Sequence, residues 1–136
     1  MTGSFELLEH TADIGIRAGG DTLEDAFAAA AEGLASILGA WFPGEGESSV
    51  VRVEGRDPEA LLVAWLDEIL FLRETRDAVF GGFEVRSVGR GLDALVRVAP
   101  AAGRRIEGQG VKAATYHRLE VRRGPEGAET VVYLDL

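Results

Sequence analysis

A chain of 136 residues is long enough to bury one sizeable core, and 46% hydrophobic with 27% charged residues is a globular rather than a disordered composition. Fourteen basic against 23 acidic residues leave a net charge of −9, whose field repels polyphosphate and argues against sequence-independent grip on RNA or DNA. The absence of cysteine excludes disulfides, thiolate metal sites and a cysteine nucleophile.

The N-terminal "MTGSFELLEH" has no basic region followed by an apolar one, and no apolar run is long enough to span a bilayer, so a cytoplasmic protein with no membrane partner is expected. "FELL" and "DIGIRA" read as strands, with Phe5 and Leu7, then Ile14 and Ile16, at period two. "DTLEDAFAAAAEGLASILG" reads as a helix capped by Thr22, with Leu23, Phe27, Ala30, Leu34 and Ile37 or Leu38 at helical spacing and Gly39 as its stop. After "PGEGESS" comes a short strand, "VVRVEG", and then a second helix opened by Asp57 and Pro58 and running through "EALLVAWLDEILFLRE". Apolar residues cover so much of this helix that it should lie deep against a sheet, with Asp67 and Glu68 as its wet edge.

The second half supplies strands: "GFEVRSV", "GLDALVRVA", "VKAATYH", "RLEVRR" and "TVVYLDL". Strands in runs with two helices among them predict an α+β single domain over residues 1–136, two helices packed on a largely antiparallel or mixed β-sheet.

Few standard motifs survive inspection. There is no phosphate-binding loop, and "GQGVKAA" at 108–114 precedes a strand-like segment without a βαβ setting, so its glycines serve a turn or bulge. No serine stands in a nucleophile-elbow sequence, and two histidines without cysteine form no known zinc pattern. What stands out is "LEHTADIGIRAGG", where Glu9, His10 and Asp13 crowd the link between two strands, and Lys112, the chain's one lysine beside thirteen arginines. On the residues alone, "TAD" also reads as an Asx-type turn, and Lys112 as either a point contact to an anion or a chance retention.

Taken together, "EHTADIGIRAGG", "GVKAATYHRLEV" and the final "VVYLDL", in that order and over nearly the whole length, resemble the archease family. The resemblance implies an archease-like fold and a non-catalytic accessory protein of a GTP-dependent RNA ligase. Such a protein acts in tRNA splicing or RNA repair, promoting ligase guanylylation and multiple turnover and meeting tRNA only through the ligase. It implies a divalent cation, Ca²⁺ first and Mg²⁺ second, held by Asp13, Asp135 and Leu136, with His10, Lys112, Tyr116 and His117 as candidates for ligase activation. Hard oxygen donors of this kind suit those cations better than a soft metal. Asp67 departs from the asparagine expected within "WLDEILFL". Two other readings stay open: a chaperone-like modulator of a tRNA-modifying enzyme, and a small metal-dependent hydrolase using Asp13, His10 and Asp135.

Overall fold

The structure is a computed structural model that describes residues 3–10 and 13–136, apart from the side chains of Glu9 and His10. Seven strands and two helices follow in the order β1 (Ser4–His10), β2 (Asp13–Gly20), α1 (Leu23–Ile37), β3 (Glu47–Glu54), α2 (Pro58–Arg76), β4 (Ala78–Val88), β5 (Gly91–Pro100), β6 (Ala113–Gly124) and β7 (Gly127–Asp135). The α+β class is as expected, but the strands form two antiparallel sheets instead of one: β1-β2-β7-β6 and β3-β5-β4.

The helices explain the division. α1 packs on β1, β2 and β7 of the first sheet and on β4 of the second, while α2 packs on β6 and on β3, β4 and β5. A helix touching both sheets needs apolar residues on more than one side. α2 has them in Leu61, Leu62, Val63, Trp65, Leu66, Ile69, Leu70 and Leu72, all buried. In α1 the same demand is met by small residues: Ala26, Ala29, Ala30, Ala31 and Ala35 are buried, which lets the strands approach the helix axis closely. The Trp65 indole N–H, fully buried, donates to the Phe27 carbonyl at 3.0 Å and ties one helix to the other.

Both helices end as their residues dictate. The Thr22 hydroxyl accepts from the Asp25 N–H at 3.1 Å, and an Asp57 carboxylate oxygen accepts from the Ala60 N–H at 2.8 Å, with Pro58 at the first helical position. At the far end of α1, the Gly39 N–H donates to the Ser36 carbonyl and the Ala40 N–H to the Ala35 carbonyl, a Schellman closure that turns on Gly39 at φ +71°. α2 stops at Asp77 in the left-handed region, φ 48°, where the Arg73 guanidinium holds both the Asp77 carboxylate and the Ala78 carbonyl at 2.9 Å.

Several strands begin earlier than the sequence reading has them, β3 at Glu47 and β7 at Gly127 among them, and two differences are larger. β4 starts at Ala78, four residues before "GFEVRSV", because Ala78, Val79 and Phe80 pair with β5 and are buried. "VKAATYH" and "RLEVRR" belong to one strand, β6, whose pairing with β7 breaks between Thr115 and Glu120 around Arg118 at φ 54°.

Candidate functional site

The four-stranded sheet has one face against the helices and the other turned away from them. On the covered face lie Ile16, Ala18, Val132 and Leu134, none more than 1% exposed. Alternation then sends Asp13, Gly15, Arg17, Val131, Tyr133 and Asp135 to the outer face.

Register arranges these residues in rows. Asp13 of β2 is directly opposite Asp135 of β7, which is opposite Ala113 of β6. The next outer row is Gly15, Tyr133 and Thr115, and the one after is Arg17, Val131 and Glu120. Directly opposed residues in an antiparallel pair place their Cβ atoms roughly 4.5–5.5 Å apart on the same side. Two carboxylates are therefore neighbours at the end of the sheet, one residue before Leu136. At about 4 Å such charges repel by about 1 kcal/mol in water and about 4 kcal/mol at an effective dielectric near 20, so the pair favours a cation. His10 occupies the register position opposite Asp13, and its side chain lies outside the described residues, as do Thr11 and Ala12. Among the described residues no three acidic or histidine side chains converge. The available donor set is the two carboxylates with the Leu136 main chain, all hard oxygens that fit Ca²⁺ or Mg²⁺.

Tyr133 and Gly15 form a unit in the second row. A Cβ on Gly15 would stand 2.7 Å from Tyr133 Cε1, so the missing side chain is what allows the ring to lie across β2. The His117 ring meets Tyr133 edge-on, centroids 6.2 Å apart. The Thr115 hydroxyl donates to the Tyr133 carbonyl at 3.0 Å and accepts from the His117 N–H at 3.3 Å, fixing the start of the break in β6. Tyr116, 63% exposed, follows Thr115 directly, and His117 and Arg118 are exposed too. In the third row the Glu6 carboxylate accepts from Arg17 at 2.6 Å, which pushes the guanidinium pKa further up.

Lys112 enters through its main chain. Its N–H donates to the Asp135 carbonyl at 2.8 Å, adding a rung to the ladder that carries the second carboxylate. Its exposed residue lines a cleft of about 660 Å³ with Leu38, Leu70, Arg73, Glu74 and Gln109, beside the C-terminal ends of both helices. Among the described residues no ion pair joins Lys112 to Asp13 or Asp135. Of the "GQG" glycines, read from the sequence as serving a turn or bulge, Gly108 instead serves close packing: a side chain there, or at Gly39 facing it, would collide with backbone, whereas Gly110 has open space around it, and between them the Gln109 N–H donates to the Ile37 carbonyl at 2.8 Å.

Asp67 corrects the reading of a wet helix edge. It is half-buried, and its carboxylate accepts from the Ala114 N–H at 3.0 Å, covering a donor that β6, an edge strand, turns away from β7. The contact joins α2 to a strand 47 residues later, so no local pattern announces it. The pairing of Tyr133 with Gly15 is silent in the sequence for a similar reason: an outward glycine and an outward tyrosine become a pair only once β2 and β7 are neighbours.

The Archease protein family profile matches residues 5–136. Curated archease proteins of Pyrococcus furiosus and Methanosarcina mazei are 38% identical over 130 residues and 33% identical over 139 residues; the alignments cover 90% and 97% of this chain and 91% and 95% of theirs. The solution structure of Methanobacterium thermoautotrophicum protein 1598 is 27% identical with a TM-score of 0.69, covering 98% of this chain and 99% of that one. A Thermotoga maritima crystal structure, described as an archease and possible chaperone, shares the fold at 23% identity and a TM-score of 0.62, covering 96% of each chain. With its sequence matched almost from end to end and its two helices and two antiparallel sheets matched as well, the chain belongs to the archease family.

Proposed function

We propose that this protein is a non-catalytic activator of a GTP-dependent RNA ligase, working in tRNA splicing or RNA repair and promoting ligase guanylylation and repeated turnover. The observation that supports this reading most is the opposition of Asp13 and Asp135 at the end of the sheet, beside the main chain of Lys112 and the exposed Tyr116 and His117. Asp13, Asp135 and the Leu136 carbonyl would hold Ca²⁺, or Mg²⁺ in its place, and the Leu136 α-carboxylate would join them where Leu136 ends the chain. Bound there, the ion neutralises the acidic pair and offers a positive charge to a partner. His10, Lys112, Tyr116 and His117 then form the ligase-facing surround, and tRNA is reached through the ligase, as the net charge of −9 favours. Without a membrane-crossing helix among the described residues, a cytoplasmic setting fits this role.

Reconstitution with the cognate ligase, GTP, divalent metal and broken tRNA tests the proposal. The expected result is more turnovers per ligase when the protein is present and no joining by the protein alone. Asp13→Ala and Asp135→Asn should each weaken Ca²⁺ binding at least about tenfold by calorimetry and reduce stimulation, with unfolding still cooperative. No stimulation under any metal condition, together with protection of a tRNA-modifying enzyme from aggregation, would favour the chaperone reading instead; "possible chaperone" is how the Thermotoga relative is described. Turnover of nucleotides or phosphoesters by the isolated protein, abolished by Asp13→Ala, would favour a hydrolase.

A further inference from the structure

The segment carrying Lys112 to Thr115 is short and bounded on both sides. Before it runs the loop 101–111, and after it the pairing with β7 lapses from Thr115 until Glu120. Only Ala113, Ala114 and Thr115 are in register with β7 here, opposite Asp135, Leu134 and Tyr133. A three-residue ladder at an edge, cut off by a break, frays easily because each end leaves backbone groups to water. Yet this piece holds the Asp135 carbonyl through the Lys112 N–H and the Tyr133 carbonyl through the Thr115 hydroxyl.

Its lateral support comes from α2. The Asp67 carboxylate takes the Ala114 N–H at 3.0 Å on the side of β6 away from β7, so the segment is hydrogen-bonded from both sides. α2 is a sound anchor, since Leu66 and Ile69 on either side of Asp67 are fully buried. The neighbouring Glu68 is half-buried, but Asp67 is the carboxylate that reaches the β6 backbone. A hydrogen bond to a charged acceptor is roughly twice as strong as a neutral one, which suits a contact that must hold a strand edge.

We infer that Asp67 is a positioning residue for the Asp13–Asp135 site: by clamping Ala114 it holds the Lys112–Thr115 rung against β7 and so fixes Asp135 opposite Asp13. This role rests on the cation-binding reading above. Partners one shell removed from a metal typically govern affinity about 10–100-fold by fixing the ligands themselves. Linkage makes the effect reciprocal, so a cation bound at Asp135 must tighten the clamp at Ala114.

Amide hydrogen exchange and calorimetric Ca²⁺ titration on the full chain decide the matter. In Asp67→Ala the Ala114 amide should exchange at least about tenfold faster while the core amides of Phe27 and Ile16 keep their protection, and Ca²⁺ affinity should fall about tenfold. Asp67→Asn keeps an oxygen acceptor and should restore both towards the wild-type values. In the wild type, saturating Ca²⁺ should slow exchange at Ala114. A loosened Ala114 in Asp67→Ala with unchanged Ca²⁺ affinity would overturn the positioning role while leaving the cation site standing. Should Asp67→Ala fail to fold, the wild-type measurement serves: exchange at Ala114 indifferent to saturating Ca²⁺ overturns the role, and slowed exchange supports it. A wild-type protein that binds neither Ca²⁺ nor Mg²⁺ removes the cation site itself, and the role of Asp67 with it.

Discussion

Single residues on the outer face act through what they leave open as much as through what they contribute. Gly15 is the clearest case, because the Tyr133 ring occupies the space a side chain would take. Gly15→Val should therefore displace the ring, break its edge contact with His117 and destabilise the fold by about 1–3 kcal/mol, the usual cost of overpacking. Denaturant unfolding of Gly15→Val, Tyr133→Ala and the double variant checks this. If the ring is the obstacle, the valine costs less once the tyrosine is gone, and a non-additive cycle is the expected outcome. Equal cost in both backgrounds would mean that the backbone, and not Tyr133, requires glycine. The carboxylates of the preceding row obey a different economy. They are exposed or half-exposed and contribute little to packing, so their replacement should be felt in cation binding before it is felt in stability.

At the scale of elements, the placing of Lys112 begins at a helix terminus. α1 closes on Gly39, which adopts φ +71° and lets residues 107 and 108 cross the end of the helix in backbone contact, and the Ile37 carbonyl takes the Gln109 N–H immediately afterwards. Three residues later the chain reaches Lys112. Gly39→Ala should cost about 1–2 kcal/mol for the left-handed backbone alone, and more because the new Cβ meets the Glu107 carbonyl. The expected signature is a lowered unfolding midpoint with accelerated amide exchange at Gln109 and Lys112, while β3 and β5 keep their protection. Uniform loosening of all elements would show that this loop is not an independent unit. The break in β6 is the counterpart at the other end of the segment: four residues, 116–119, stand where β7 has only Val132 between its paired positions, and the surplus chain is what carries Tyr116 and His117 out of the sheet.

Across the whole molecule, charge is unevenly tolerated. A small cleft between α1 and β4 gathers Glu24, Asp25, Glu32 and Glu84, and within it burial pushes the carboxyl pKa of Glu32 up from 4.5. A carboxyl whose folded value is raised stabilises the fold fully below its unfolded value, and that contribution is lost as pH rises through the folded one. Glu32→Gln should therefore raise the unfolding midpoint at neutral pH and leave it unchanged below about pH 4. Because the side chain is only half-buried, the gain is small, roughly 1–3 °C. Thermal scans of both proteins at the two pH values test the sign, and a gain at acidic pH would contradict it.

Local chemistry alone determined the helices. Thr22 with Asp25, Asp57 with Pro58, and Gly39 define ends whose hydrogen bonds close within five residues, so the sequence contains both partners. The alternation of "VVYLDL" likewise separates Val132 and Leu134 from Tyr133 and Asp135, since side-chain direction along a strand needs no knowledge of its neighbours. The motifs in "EHTADIGIRAGG", "GVKAATYHRLEV" and "VVYLDL" were enough to point to the family. Tertiary structure decided everything that depends on which strand lies beside which. The division into two sheets follows from helices apolar on several sides, a pattern that a single sheet and two sheets would satisfy equally on paper. Asp13 faces Asp135, Tyr133 covers Gly15 and Asp67 clamps Ala114 across separations of 122, 118 and 47 residues. No periodicity reaches so far: the pairing register is set by burying Ile16, Val132 and Leu134 together on one face, and the outer face receives its rows as the consequence.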